Sequence, residues 1–476
     1  MTSTTPDTAT LLRPPASDQP LQEPAKPAGA ASLTELSGWG ASQRVRCELR
    51  EPETAIEVAR LVDRAGCIAR GLGRSYGDPA LNAGGRVLGM QRMDRYLAFD
   101  ADAGALTCEA GVSLAQIIAD FGPRGFFPMI TPGTKFATVG GCIANDVHGK
   151  AHHAQGPFSA CVESMEILLA SGEVVTASRK ERPDLFWGTF GGMGLLGIVL
   201  NARILLRRIE TTYFRKQAIK ANCLEAMLEA LEEYDQKYPY SVAILDPVAT
   251  GKRLGNGVLA VGDHATLSDL PTELAKQPLR TAPSQLLSVP VDLPEFLLNP
   301  ISIRFLTAAM KFKQGSSAAF QYYDGFFYPL DMFGHWNRAY GRRGFTQYQF
   351  VIPFDDGPTR LREILTAIVS SGKLPFLNVL KRLGKASPSP LSFPTEGYTF
   401  AIDFPMRAGT AELCRRLDKM VLDAGGRIYL GKDATVEPDM FRAMYPEGVK
   451  AFMALRDQYD PERVFSSDLA RRVGLT

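Results

Sequence analysis

"IARGLGRSYGD", residues 68–78, sets three glycines, two arginines, a serine, a tyrosine and an aspartate directly behind a short apolar run. A segment so rich in backbone N–H groups and so poor in side chain is suited to turning successive amides inward as an anion nest, without relying on a helix dipole. A plain strand-to-strand turn is the competing reading. The segment has no Walker lysine, and its spacing is not G-x-G-x-x-G. That literal spacing occurs later, at Gly192, Gly194 and Gly197, but the residues beyond it, IVLNARILL, read as a strand and not as the helix a dinucleotide fingerprint must open. A second glycine segment, PGTKFATVGGCIANDVHGKAHH at 132–153, places Gly133, Gly140, Gly141 and Gly149 in one run with Thr134 and Thr138. Two such loops suit a long pyrophosphate-bearing cofactor better than a single phosphate.

The flanking sequence predicts mixed structure. From Glu51 to Ala65 the apolar residues Ala55, Val58, Ala59 and Val62 recur at helical spacing, and Gly66 follows as a stop before the strand-like CIAR. Ser113 is a natural N-cap for a helix with Leu114, Ile117, Ile118 and Phe121 on one face and Gly122 as its end. VESMEILLASGEVVTA (162–177) reads as a hairpin turning at Ser-Gly. Residues 33–208 are therefore expected to form one α+β domain. The texture then changes: a helical ANCLEAMLEALEEYDQKY (221–238) is followed by a long irregular stretch and by the strand-like QYQFVIP (347–353) and YTFAIDFP (398–405). A second sheet domain is expected over 209–426, with a mobile lid at about 276–320. Residues 427–476, with a helix opening at Pro438, are expected to return to the first domain.

At 476 residues the chain is long for one hydrophobic core, which agrees with two domains. An apolar fraction of 45% and a charged fraction of 22% are those of an ordinary globular protein. With 53 basic residues against 51 acidic ones there is no bulk argument for nucleic acid, and none is expected as a partner. The seven cysteines are scattered with no CxxC pair, and His148, His152 and His153 have no carboxylate pair at ligand spacing, so no metal is expected. Residues 1–32 are rich in Pro, Ala and Thr, lack a signal-type apolar core, and are expected to be a disordered tail. The most apolar window, GLLGIVLNARILL (194–206), is interrupted by Asn201 and Arg203 and is too short to span a bilayer. The expected location is cytoplasmic or peripheral to the inner membrane, with the periplasmic face left open.

GLGRSYGD and PGTKFATVGGCIANDVHG, together with LFWGTFGGMGLLGI (185–198) and the closing DPERVFSSDLARR (460–472), resemble the vanillyl-alcohol-oxidase type of FAD flavoprotein. Within that type the chain is most similar to the polyprenylphosphoryl-ribose 2'-oxidases, on GWG, PLDMFGHWNRAYG (329–341), QYQFVIP, FLNVLK (376–381), PLSFP (390–394) and YLGKD (429–433). The likeness runs from about residue 37 to 475. It implies an α+β, two-domain vanillyl-alcohol-oxidase/PCMH-type FAD-binding fold with an antiparallel-sheet substrate (cap) domain. It assigns FAD contacts to Gly71, Leu72, Gly73, Arg74, Ser75, Tyr76, Gly77, Gly133, Thr138, Gly140, Gly141, Asn145, His148, Gly197, Val199 and Tyr429. For His148 a buried, hydrogen-bonded histidine is the other reading. Some relatives attach the flavin covalently through a histidine in the first loop; here that position is Arg74, which implies noncovalent FAD.

The implied reaction is oxidation of the ribose 2'-hydroxyl of a polyprenyl-phosphate sugar lipid to a ketone, with a base taking the hydroxyl proton and hydride passing to FAD. A separate NADH-dependent short-chain reductase would complete an epimerisation leading to an arabinose donor for cell-envelope glycans. Lys432 carries the family's substrate and possible base role, a role open to a lysine whose pKa is lowered. Tyr76 and Lys150 are rivals that the sequence does not rank. Gln347 and Gln349 share one side of a strand by the period of two and can bind sugar hydroxyls or phosphate, and Lys381 can supply charge for the phosphate. The chain departs from mycobacterial relatives at Ala401, where they carry a cysteine, at Thr399 in place of an amide, and at Asn145 in place of a cysteine. These leave sugar selectivity open. The stretch 290–315, with Arg304, Lys311 and Lys313 among apolar residues, either meets the membrane surface or is a cap loop without that role. Two other functions compete: an FAD-dependent oxidase of a free sugar, alditol or aldonolactone, and a non-catalytic flavin-binding accessory of a glycan-assembly complex.

Overall fold

The computed structural model describes residues 32–281, 287–297, 299, 302, 320–373, 375 and 377–476. The expected tail therefore lies outside the described residues except for Ser32, which opens the strand Ser32–Ser37. Much of the expected lid lies outside as well, including Arg304, Lys311 and Lys313.

Two sheets surround the first glycine loop. In one, Ser32–Ser37, Arg44–Arg50, Arg86–Gly89 and Cys67–Arg70 follow in that spatial order, and Cys67–Arg70 runs parallel to Arg86–Gly89 and delivers the chain directly into Gly71. In the other, the long strand Ile198–Arg208 is flanked by Ala105–Glu109 and by the hairpin Val162–Leu168 with Val174–Ser178, all antiparallel. The glycines at 192–197 thus lead into a strand, as IVLNARILL predicts. The helix Leu114–Phe121 begins with a capping box: Ser113 Oγ accepts the Gln116 N–H at 3.2 Å, and Gln116 Oε1 accepts the Ser113 N–H at 2.8 Å. Its apolar face, Leu114, Ile117, Ile118 and Phe121, is buried. The α-helix ends at Phe121 with Gly122 as its C-cap, as expected. A short 3-10 turn continues through Gly122–Arg124, and the reversal comes at Gly125 with φ +81°. The helix expected over 51–65 is confined to Ala55–Leu61, because Thr54 caps it by accepting the Glu57 N–H.

The cap is an antiparallel sheet in which Phe320–Tyr322, Tyr213–Ala221, Gly257–His264, Tyr240–Leu245, Asn378–Leu383, Gly397–Pro405, Phe345–Ile352 and Arg427–Ile428 follow in that order. Arg427–Ile428 pairs with Phe350 and Val351, so the return to the first region starts beyond this edge strand and not at 427. The helices Leu224–Asp235, Gly357–Ser370 and Thr410–Asp423 pack on one face of the sheet. Along Phe345–Ile352 the period of two sends Tyr348 toward them, where its hydroxyl donates to Asp418 at 2.8 Å, and sends Gln347 and Gln349 to the opposite face.

Two buried ion-pair systems tie the return segment in place. Arg472 donates to both carboxylate oxygens of Asp78, at 2.9 and 2.7 Å, and to Asp433 at 2.8 Å. Arg456, fully buried, pairs with Asp460 at 2.7 Å and donates to the carbonyls of Leu475 and Phe465. The first clamp holds the Asp78 end of the glycine loop against the turn that carries Lys432.

Candidate active site

Between the glycine loops and the free face of the cap sheet lies a cavity of about 290 Å³. The first loop lines it, and three of that loop's carbonyls are already used. Gly71 O accepts from Gln91 Nε2 at 2.9 Å, Ser75 O from the Trp39 N–H at 2.7 Å, and Tyr76 O from the Gly40 N–H at 3.1 Å. The Tyr76 N–H goes to Gly431 O, whereas among the described residues no acceptor takes the N–H of Leu72, Gly73, Arg74 or Ser75. Four adjacent free amides on a cavity wall form a nest for an anion. In the second loop, Thr138 caps the turn of helix Val139–Ala144 by accepting the Gly141 N–H at 3.2 Å. A Cβ at Gly71 would lie 2.2 Å from Thr138 Oγ1, so the two loops touch only because the side chain is absent. A Cβ at Gly133 would meet nothing within 4 Å, which leaves open space beside that backbone.

Every residue singled out from the sequence as a cofactor, substrate or base candidate lines this cavity except Gly77. Gly77 is packed against the backbone of Asp433, where a Cβ would come within 2.0 Å of the carbonyl oxygen. Its missing side chain serves this packing.

The cavity is cationic. Lys150, Lys381 and Lys432 all face it with Arg74. Burial pulls Lys432 down to about 8, with Asp403 opposing the shift, and pulls Lys150 down to about 8 as well. Burial, then the charges of Lys432 and Lys150, drive Lys381 well below the usual lysine range. Lys150 Nζ donates to the Phe327 carbonyl at 2.8 Å, and Lys381 Nζ lies 3.4 Å from the Gly149 carbonyl. Lys432 Nζ sits 5.7 Å from the centroid of the Tyr76 ring. Arg74 stacks 4.0 Å over Trp39, and its Nε is buried without a partner. Two carboxyls that sequence reasoning missed stand in this field. Asp331 accepts the Lys135 N–H at 2.8 Å, and Asp403 accepts from Gln347 Nε2 and from the Tyr340 hydroxyl. Burial raises both to about 6. Asp403 lies directly opposite Gln347, a neighbour that only the pairing of the two strands supplies.

His148 packs against Phe393 and Tyr429, its ring 5.4 and 5.2 Å from theirs, and burial followed by Lys381 holds it well below its ordinary pKa, so it is neutral. Tyr76 is shifted the opposite way: burial, then Asp403 and Asp331, keep its phenol protonated. An amide nest, open space beside Gly133, and buried polar atoms without protein partners at Asn145 Oδ1, His148 Nδ1, Gln347 Oε1 and Gln349 Oε1 fit a cofactor that carries both phosphates and a polar ring.

Comparison with known proteins agrees with this chemistry. Residues 47–178 match a family described as FAD binding domain, and residues 341–473 match one described as D-arabinono-1,4-lactone oxidase. The chain is 39% identical over 450 residues to the decaprenylphosphoryl-beta-D-ribose oxidase of Mycolicibacterium smegmatis, spanning 92% of this chain and 97% of the relative. An uncharacterized Streptomyces coelicolor protein from the mprA 5' region is 34% identical over 382 residues, 76% of this chain and 99% of that protein. Cytokinin dehydrogenase 2 of Arabidopsis thaliana is 28% identical over 162 residues, covering 33% of this chain and 32% of the relative.

Fold and site together define an FAD-dependent oxidoreductase of the two-domain vanillyl-alcohol-oxidase/PCMH type. Gly71 to Tyr76, Gly133, Gly140 and Gly141 line the cavity wall formed by the two glycine loops. The chain belongs to the decaprenylphosphoryl-β-D-ribose oxidase family.

Proposed function

We propose that the protein oxidises the 2'-hydroxyl of a polyprenylphosphoryl-β-D-ribose to the 2'-ketone. The observation that carries this reading is the convergence in one cavity of Lys381, Gln347 and Gln349 from the cap strands, Lys432 from the turn beyond them and Lys150 from the second glycine loop. The lysine cluster suits a phosphate diester beside a sugar, and the paired amides suit its hydroxyls. Bound FAD supplies the two-electron acceptor for the hydride. Lys432 is the favoured base: with a pKa near 8, part of it is neutral at physiological pH and able to take the hydroxyl proton. Tyr76 is a poor acceptor because its own proton is held, and the ammonium of Lys150 is engaged by the Phe327 carbonyl. Lys381 and Lys150 then serve the phosphate.

The lipid portion needs an apolar approach, and no helix among the described residues is long and apolar enough to cross a membrane. Five of the ten large apolar side chains most exposed on the described surface lie on two segments joined where Leu287–Ser288 pairs with Phe333–Gly334: Leu287, Val291, Phe296 and Leu297 on one, Phe333 on the other. Two residues past Gly334 the chain reaches Trp336 on the cavity wall. This supports peripheral contact with the membrane surface beside the site. The ketone would be consumed by an NADH-dependent short-chain reductase, which delivers hydride to the opposite face and completes the epimerisation to the arabinose donor.

The match of residues 341–473 to the lactone-oxidase family favours a second reading, oxidation of a free sugar, alditol or aldonolactone. Anaerobic mixing of the yellow holoprotein with polyprenylphosphoryl ribose separates the two. Bleaching of the flavin band with a ketone product two mass units lighter is expected. A flavin left oxidised by the sugar lipid but reduced by free alditols or lactones overturns the proposal. A flavin reduced by neither points to the accessory role.

A further inference from the structure

Three buried side chains beside the cavity, Thr399, Gln349 and His148, form a chain in which every hydrogen-bond direction is determined. Thr399 lies opposite Val351 and Gln349 opposite Ala401 on adjacent antiparallel strands, so the two are diagonal neighbours on one face. Thr399 Oγ1 is 2.8 Å from the Phe350 carbonyl. A carbonyl carries no hydrogen, so the single hydroxyl proton is committed there and Oγ1 can otherwise only accept. The Gln349 atom 3.0 Å away must therefore be the amide nitrogen, because the flipped amide would set oxygen against oxygen with no hydrogen between them. The same nitrogen lies 2.9 Å from His148 Nε2. Its second hydrogen points there, so Nε2 accepts and the ring proton resides on Nδ1. That Nδ1 is buried with no acceptor among the described residues, and His148 forms part of the cavity wall.

We propose that Thr399, acting through Gln349, locks His148 as its Nδ1–H tautomer and so aims a permanent hydrogen-bond donor at a neutral acceptor atom of the molecule filling this part of the cavity. The acceptor is a flavin heteroatom or a sugar oxygen, and the chemistry is the same for both. Thr399 is itself fully buried off the cavity wall and touches neither ligand, which makes it a positioning residue. Gln349 Oε1, left without a partner by the same lock, is a fixed acceptor beside the donor.

The chain holds five histidines, so ¹⁵N-histidine labelling resolves the tautomer, with the His148 signals assigned by their loss in His148→Gln. In wild-type holoprotein His148 is expected as Nδ1–H, and Thr399→Ser, which keeps the hydroxyl, is expected to leave it so. Thr399→Val removes the acceptor, frees the amide to turn its oxygen toward His148, and is expected to move the proton to Nε2. With the tautomer reversed, FAD dissociation read by flavin fluorescence weakens about tenfold or more if the acceptor belongs to the flavin. If it belongs to the sugar, FAD affinity holds and KM rises by a similar factor; Thr399→Ser restores either. A wild-type His148 protonated at Nε2 overturns the proposal without any variant. So does a Thr399→Val protein whose tautomer is unchanged, or whose FAD affinity and KM both stay within twofold of wild type.

Discussion

The two walls of the cavity are made of different material. The glycine-loop wall offers backbone: amides of Leu72 to Ser75 that have no protein acceptor among the described residues, and open space beside Gly133. The opposite wall offers long polar side chains: Lys381, Gln347 and Gln349 standing on strands of the cap sheet, and Lys432 on the turn beyond its edge strand. A backbone wall is sensitive to added volume and indifferent to pH, whereas a side-chain wall is sensitive to lost charge and titrates. The first suits a resident cofactor, and the second a substrate that arrives, gives up a proton and leaves.

The largest effect should come from breaking the cap wall alone. Lys432→Met is expected to lower kcat by about 10²- to 10⁴-fold while the purified protein keeps its FAD absorbance. Undiminished turnover would hand the base role to another group. Adding volume to the other wall should do the reverse. Gly133→Ala, whose Cβ meets no protein atom within 4 Å, is expected to leave apoprotein Tm unchanged and weaken FAD binding about 5- to 150-fold. Gly77→Ala, driven into the Asp433 carbonyl, should lower Tm by several degrees with or without FAD. If the two alanines behaved alike, the distinction between ligand space and packing space would fail.

Titration sharpens the contrast. Lys432 falls from 10.5 to about 8 on burial in the folded chain, so between these values the unfolded chain binds more protons and apoprotein stability rises with pH. Below pH 8 the folded state carries the full cost of the buried charge. Apo Lys432→Met should therefore melt higher than wild type at pH 7, with the gap closing toward pH 10, and wild-type kcat/KM should climb to a plateau above about pH 8. The smallest effect concerns Asp403, which raises the Lys432 pKa: Asp403→Asn should move the acid limb of kcat/KM down by about one unit. A limb that moved up would mean the lysine is not the titrating group.

Much of the backbone wall was legible in the sequence, because glycine clusters and N-cap threonines state local backbone needs directly. Strand periodicity likewise placed Gln347 and Gln349 on one face. What was not legible depends on pairing between distant strands. Asp403 faces Gln347, and Thr399 stands diagonal to Gln349, only through the register of Phe345–Ile352 against Gly397–Pro405. Glycine is also ambiguous: Gly77, packed against Asp433 from far along the chain, and Gly133, beside open space, look alike in the sequence. The helix at 51–65 was over-read because hydrophobic spacing ignores Thr54, whose side chain sets the start.

The clamp of Arg472 on Asp78 joins residues 394 apart, with the entire cap sheet between them in the chain. During synthesis the first glycine loop emerges early and must wait, its nest unsupported from behind, until all of the cap has been made and the return helix arrives. FAD capture is thereby scheduled late in biogenesis, and a truncated translation product that lacks Arg472 should leave the ribosome as a colourless protein.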